Sequence, residues 1–155
     1  MAVKAIPEGY EAAIPYLSCR DAASAIDFYK KAFGATELMR MAQPDGKVGH
    51  AEIQIGAAKI MIADEFPEMG VRSPQSIGGS PVGIHVYVPD VDAIASRAAG
   101  AGAKIDRPPT DQFYGDRSLT LTDPYGHRWF FATHKEDLSP EEMKRRSEAA
   151  AKQHG

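Results

Sequence analysis

The chain contains a clear strand pattern near its middle, where apolar residues occupy every second position at Ile84, Val86 and Val88. A period of two predicts a strand with two unlike faces. His85 and Tyr87 lie on the other face of that strand. The pattern therefore predicts a sheet with one apolar face and one face that carries polar and aromatic side chains.

A strand followed by an amphipathic helix occurs twice. Asp90 and Asp21 each precede apolar residues at helical spacing, and aspartate is a favoured N-cap. The two aspartates are 69 residues apart in the sequence. Two pairs of glycines keep this offset to within one residue, Gly34 with Gly102 and Gly56 with Gly126. The offset predicts a duplicated module.

Each module is predicted to be a strand, a helix and three further strands. We expect one domain over residues 1–155, made of modules at about 12–65 and 81–134. The stretch 65–81, rich in proline and glycine, is interpreted as a linker, and Arg107-Pro108-Pro109 as a break in the chain. The predicted strands span residues 13–20, 36–41, 48–55, 59–63, 82–88, 118–122 and 127–133.

A last helix is predicted over residues 139–152. Ser139 at the N-cap, Pro140 at the first position and Glu142 at the third form a predicted capping box. Few apolar residues follow, so this helix is expected to be largely solvated.

Composition narrows the function. The 155 residues carry a net charge of −3, which disfavours a nucleic-acid partner. No apolar run is long enough to span a membrane. The one cysteine, Cys19, excludes an intramolecular disulfide and favours a reducing compartment, and no signal-peptide pattern is visible at the N-terminus. We expect a cytoplasmic protein, with Cys19 as a core residue.

Several motifs resemble the glyoxalase/bleomycin-resistance/extradiol-dioxygenase family, the vicinal oxygen chelate superfamily. They lie at residues 26–35, 88–92 and 123–126. Further segments at 49–52, 114–117, 126–129 and 133–137 are similar to its PhnB-like subgroup. The resemblance implies an α+β fold in which two βαβββ modules form cupped mixed sheets, with the helices outside and a small-molecule site inside. It also implies a homodimer.

Metal-dependent members of that family place a ligand on the first and last strand of each module, usually His or Glu. The matching positions in this sequence are Ile14, Met61, Gly83 and Phe130, and none is His, Asp or Glu. We therefore expect no metal and no other cofactor. A displaced site at His50, Glu52 and His85 has acceptable ligand types. The alternative is that His50 and Glu52 simply bond to neighbours on a half-exposed sheet face.

The residues expected to face the ligand follow from alternation along the strands and from side-chain chemistry. Arg117 and Arg128 are candidates for holding an anion, although Arg117 could instead pair with Asp116 or Glu52. Alternation also places Ser118 and Thr120 on the expected ligand face. The predicted ligand-binding residues are Tyr16, His50, Glu52, His85, Tyr87, Arg117 and Phe130.

Three functions remain open. The first is a metal-free protein that binds a small molecule. The second is a lyase, isomerase or dioxygenase-like enzyme that uses the displaced metal site or acid–base catalysis by His85. The third is an interaction or scaffold protein in which the cup is vestigial. The sequence names no catalytic residue and no substrate.

Overall fold

The computed structural model describes residues 2–154 and divides the chain into two compact units, Met1–Gly79 and Ser80–Gly155. Each unit holds a four-stranded mixed sheet and a helix that packs on one face of that sheet. The fold is α+β with two βαβββ modules, as the repeat predicted. No helix within residues 2–154 combines the length and the hydrophobicity that crossing a membrane requires.

The first unit contains β1 to β4 in the sheet order β1-β4-β3-β2. The pair β1 and β4 is parallel, whereas β2 with β3 and β3 with β4 are antiparallel. A parallel pair needs a crossover connection, which here consists of α1, β2 and β3. The elements are β1 (Tyr16–Cys19), α1 (Ala22–Phe33), β2 (Thr36–Ala42), β3 (Val48–Ile55) and β4 (Ala58–Asp64).

The second unit repeats this arrangement in the order β5-β8-β7-β6, again with one parallel pair, β5 and β8. A one-turn helix, α2 (Pro74–Ile77), precedes it. The elements of the second unit are β5 (Gly83–Tyr87), α3 (Val91–Gly100), β6 (Lys104–Asp111), β7 (Asp116–Thr122), β8 (Arg128–His134) and α4 (Pro140–Gln153).

Both predicted helix starts are confirmed by their capping contacts. The carboxylate of Asp21 accepts a hydrogen bond from the N–H of Ser24, and that of Asp90 accepts one from the N–H of Ala93. Helix α1 ends at Gly34, whose φ of 68° lies in the left-handed region that glycine adopts without strain. Local sequence signals therefore define these helices.

The apolar core of each unit lies between its sheet and its helix. In the first unit the buried side chains include Ile26 and Tyr29 of α1 and Ile53 of β3. Cys19 is fully buried in this layer, as predicted. In the second unit the indole of Trp129 is buried and donates a hydrogen bond to the carboxylate of Asp123 at 2.9 Å. The opposite face of each sheet is not covered by this helix and can carry polar side chains.

The expected chain break at Arg107-Pro108-Pro109 is wrong. Strand β6 continues from Lys104 to Asp111 through both prolines. It lies at the edge of the sheet, where a proline that lacks an N–H does not interrupt a ladder. Register shifts occur on both sides of Arg107.

The stretch 65–81 is not a structureless linker. It contains a 3₁₀ turn at Pro67–Met69 and helix α2, and it belongs to the first unit up to Gly79. The carboxylate of Glu65 accepts hydrogen bonds from the backbone N–H of Ser73 and the hydroxyl of Ser76. The hydrogen bonds from Ser73 and then Ser76 lower the pKa of Glu65 to about 2. One ionised side chain thus organises the segment.

The C-terminal helix α4 forms as predicted, and none of its described residues is buried. The hydroxyl of Ser139 accepts a hydrogen bond from the N–H of Glu142. The capping box is only half formed, because the Glu142 side chain pairs with Arg145 and Arg146 instead. Arg146 also bonds to Glu136, which ties the helix to the preceding loop.

Candidate functional site

A cavity of about 550 Å³ lies on the sheet face of the second unit that is turned away from its helix. The wall is formed by strands β5 to β8 and by the segment between β6 and β7. Its polar residues are His85, Arg107, Thr110, Gln112, Ser118 and Thr120. Its remaining residues are Pro108, Tyr114 and Phe130.

The floor of this cavity is one row of residues that runs across all four strands. His85 pairs with Phe130, Phe130 with Thr120, and Thr120 with Arg107. Residues directly opposite each other in a sheet project to the same face. The row therefore places an imidazole, a phenyl ring, a hydroxyl and a guanidinium side by side on one surface.

The ring of Phe130 lies against Gly83. A Cβ at Gly83 would lie 2.1 Å from a ring carbon of Phe130, so any larger residue would displace the ring. Arg128 adds a guanidinium 5.6 Å from the centre of the same ring, at cation–π distance. Glycine at this position thus allows Phe130 to form part of the cavity floor.

Two hydrogen bonds already join polar groups within the cavity wall. The Gln112 amide donates to the Ser118 hydroxyl at 2.9 Å, and the Thr110 hydroxyl donates to the Pro108 carbonyl. The hydroxyl proton of Ser118 remains available, because that contact uses its oxygen as acceptor. The wall can thus donate and accept hydrogen bonds.

Beyond the cavity, a network of titratable side chains extends along β5 and β7. Tyr87 donates to one carboxylate oxygen of Asp116 at 2.7 Å, and His134 bonds to the other at 2.7 Å. The second ring nitrogen of His134 lies 2.8 Å from Asp137. An ionised carboxylate only accepts hydrogen bonds, so this arrangement favours the imidazolium form of His134, in which both ring nitrogens donate.

The pKa values in this network follow from its hydrogen bonds. Burial favours the neutral form of Asp116, but bonds from His134 and Tyr87 outweigh it, so the pKa of Asp116 lies below its ordinary value. The Asp116 and Asp137 carboxylates raise the pKa of His134. The bond to Asp116 raises the pKa of Tyr87. Tyr87 is therefore held by Asp116, while its ring lies 4.9 Å from that of His85.

Arg117 lies away from the cavity. It alternates with Ser118 along β7, and its guanidinium makes a bidentate contact with Asp92 at the start of α3. A third bond goes to Asp111 at 3.2 Å. The suggested pairing of Arg117 with Asp116 or Glu52 is wrong, because Asp92 and Asp111 bind its guanidinium. Arg117 joins β6, β7 and α3 on the helix side of the sheet.

The other predicted site residues lie together in the first unit. The Tyr16 hydroxyl is 2.6 Å from His50 Nδ1, and His50 Nε2 is 3.1 Å from a Glu52 carboxylate oxygen. The Tyr10 hydroxyl donates to the other oxygen of Glu52. Bonds from Tyr10 and then His50 lower the pKa of Glu52. His50 and Glu52 are thus bonded to neighbours, as the structural alternative predicted.

The residues at the four metal-ligand positions of the related family do not suit a divalent metal ion. Of Ile14, Met61, Gly83 and Phe130, only Met61 has a side-chain donor atom, a thioether that prefers soft ions. Gly83 is covered by the Phe130 ring. Residues 2–154 contain no group of three or more His, Cys, Asp or Glu side chains close enough to hold a metal ion.

Sequence reasoning missed Arg107, Pro108, Thr110 and Gln112 in the cavity wall. The expected chain break at Arg107-Pro108-Pro109 is the reason for the first three, and Gln112 lies just beyond β6. A usable signal was present, because prolines are tolerated on edge strands and β6 would be the edge strand of the repeated module. Ser118 and Thr120 face the cavity, as alternation predicted.

Repeated βαβββ units with a cavity on one sheet define the class to which this chain belongs. The profile of the Glyoxalase/Bleomycin resistance protein/Dioxygenase superfamily matches residues 13–131. The chain is a member of that family.

Individual proteins are similar to this chain in sequence and in structure. The uncharacterized protein Mb0911c of Mycobacterium bovis is 46% identical over 132 residues, which is 83% of this chain and 87% of that protein. The crystal structure of TioX from Micromonospora sp. ML1 is similar with a TM-score of 0.62 and 28% identity, covering 79% of this chain and 99% of TioX. The Arabidopsis thaliana At5g48480 product has a TM-score of 0.63 and 25% identity, covering 79% of this chain and 98% of that one.

Proposed function

We propose that this chain is a small-molecule binding protein of the glyoxalase and bleomycin-resistance type, with its ligand in the cavity of the second unit. The observation that carries the proposal is the cavity itself. Its volume of about 550 Å³ is within the range of small-molecule sites, and its wall combines two aromatic rings with a few convergent polar groups. Such a wall suits an organic ligand that packs on a ring and is oriented by hydrogen bonds.

We also propose that ligand binding needs no metal ion. The four positions that correspond to metal ligands in the resemblance offer only the thioether of Met61, and one of them, Phe130, supplies an apolar surface instead. A ring at such a position stacks on a ligand but does not coordinate an ion. We therefore assign Phe130 and His85 to the ligand site, with Tyr87 beside them.

A fragment screen by NMR tests the proposal. Binding of small aromatic fragments should shift the backbone amide signals of β5, β7 and β8. Ser118→Tyr should abolish these shifts, because the larger ring would fill part of the cavity. Ser96→Tyr is the matched control, since Ser96 is exposed on α3 outside the cavity wall. Finding no shifts with any fragment, or equal shifts in wild type and Ser118→Tyr, would overturn the proposal.

A second function is favoured by one observation. His85 lines the cavity, and its ring makes no hydrogen bond within the part of the chain that the structure describes. An imidazole with available nitrogens beside a ligand is a potential general acid or base. If His85 acts in this way, aryl ketones incubated with the protein in D₂O should exchange their α-protons. His85→Gln should abolish this exchange, and no exchange in the wild type would remove this function.

The finer assignments are also proposals. We propose a cytoplasmic homodimer of the PhnB-like subgroup that has no nucleic-acid partner. The net charge of −3 and the single buried cysteine support the absence of nucleic acid and a reducing compartment. Sedimentation of the purified chain would test the dimer, and a monomer at all concentrations would contradict it.

A further inference from the structure

The wall of the cavity in the second unit contains basic side chains and no acidic ones among the described residues. Among residues 2–154, its wall contains no Asp or Glu, but it contains the guanidinium of Arg107 and the imidazole of His85. Arginine remains charged at all physiological pH values. The cavity thus offers a permanent positive charge with no negative group in its own wall.

Arg107 differs from Arg117 and Arg146, which are held by carboxylates, and resembles Arg128, which also lacks an ion pair within residues 2–154 but is not part of the cavity wall. Arg117 is held by Asp92 and Asp111, and Arg146 by Glu136 and Glu142. Arg107 has no ion pair within residues 2–154. Its neighbour Asp106 is engaged elsewhere, since its carboxylate accepts a hydrogen bond from Thr122 at 2.6 Å. The guanidinium of Arg107 therefore keeps its donors available for a ligand.

The position of Arg107 is set by the irregularity of β6. Register shifts occur on both sides of Arg107, and the two prolines follow it directly. Bulges on edge strands re-aim individual side chains. Arg107 remains opposite Thr120, in the row that continues to Phe130. This row places the guanidinium two strands from the phenyl ring, about 10 Å at ordinary strand spacing.

Resting on the proposed function, we propose that the ligand is a planar aromatic carboxylate. Its ring packs on Phe130, and its carboxylate accepts the paired N–H groups of Arg107. A guanidinium matches a carboxylate in a fork-like geometry that a neutral amide cannot reproduce. Thr120 and the free hydroxyl proton of Ser118 lie between the two ends and can donate to oxygen atoms of the ligand.

The test compares two probes that differ only in charge, 2-naphthoate and 2-naphthamide. Calorimetric titration measures both affinities, and Arg107 carries its charge throughout the accessible pH range. We expect naphthoate to bind about tenfold more tightly than naphthamide, and added salt to weaken only naphthoate. Arg107→Gln should bring the two affinities together.

Arg97→Gln provides the matched control, because Arg97 is exposed on α3 and its loss changes the net charge equally. This variant should keep the preference for naphthoate. Equal affinities of the two probes in the wild type, no binding of either, or a preference that survives Arg107→Gln would overturn the inference. Fragment shifts at β5, β7 and β8 would still support the proposed function in those cases, so the two failures are distinguishable.

Discussion

The two units have the same sheet topology, but the open faces of their sheets differ in chemistry. Each face carries one row of residues across four strands. In the second unit the row is Arg107, Thr120, Phe130 and His85. In the first unit the corresponding row is Met39, Glu52, Met61 and Tyr16. At neutral pH the second row thus carries the positive charge of Arg107, and the first row carries the negative charge of Glu52.

The two rows also differ in what covers them. Glu52 is bonded to Tyr10 from the segment before β1, and Lys59 lies 3.9 Å from the centre of the Tyr10 ring while donating to the Gly9 carbonyl. The second unit instead has a cavity over its row. Duplication preserved the scaffold, while the side chains on the two open faces diverged.

The largest expected effect concerns the contact that anchors each helix to its sheet. Asp64 accepts hydrogen bonds from the N–H groups of Ala22 and Val48, whereas Thr133, 69 residues later, accepts only from that of Val91. Asp64→Ala should destabilise the chain by about 3–5 kcal/mol, because two buried N–H groups lose a charged acceptor. Thr133→Ala should cost about 1–2 kcal/mol.

Urea unfolding of both variants measures these losses. Asp64→Asn should fall between wild type and Asp64→Ala, because the amide retains one acceptor oxygen. If Thr133→Ala proves as destabilising as Asp64→Ala, the count of buried donors does not explain how the helices are held.

The next prediction tests whether only the second row binds a ligand. Phe130→Ala should weaken 2-naphthoate binding by about tenfold or more, because the ring that stacks on the probe is lost. Met61→Ala, at the corresponding position of the first row, should leave the affinity unchanged. Calorimetric titration measures both. An equal loss in the two variants would mean that both faces contribute to binding.

A smaller effect separates the two carboxylates. Tyr10→Phe removes the main hydrogen bond that lowers the pKa of Glu52, so the pKa of Glu52 should rise toward its ordinary value. Tyr87→Phe should likewise raise the pKa of Asp116 and leave Glu52 unchanged. Side-chain carboxyl NMR titration reports both.

The sign of the accompanying change in stability is fixed. A carboxylate with a lowered pKa stabilises the fold above its unfolded pKa, and this contribution is lost as the pH falls through its folded pKa. Tyr10→Phe should therefore reduce the loss of stability in acid that is due to Glu52. A Glu52 titration that does not change in Tyr10→Phe would show that the segment before β1 does not cover this face in solution.

The smallest expected effect is at the alkaline side of the pH range. The raised pKa of His134 means that the imidazolium stabilises the second unit fully below about pH 6.5, its unfolded pKa. This contribution should be lost as the pH rises through the higher folded pKa. The difference in free energy of unfolding between wild type and His134→Gln should shrink over that range. A difference between wild type and His134→Gln that stays constant over that range would exclude the role of His134.

Sequence alone determined the repeat, most of the element types and the sheet face of His85, Ser118, Thr120 and Phe130. Period-two alternation and N-caps depend on residues close in the chain, so Asp21, Asp90 and the strand face of His85 could be predicted. The 69-residue offset then allowed each position in one module to be matched with a position in the other. Even the unsuitability of the metal positions was predictable, because Ile14 and Gly83 have no side-chain donor atoms.

Tertiary structure decided which polar residues meet. Tyr10 and Glu52 are 42 residues apart, and no local pattern links them. Arg107 entered the cavity wall because β6 pairs along the sheet edge, where its prolines are tolerated. Arg117 was removed from the candidate site by carboxylates on α3 and β6. Hydrogen bonds and ion pairs between distant segments depend on packing geometry, which residue spacing along the chain does not specify.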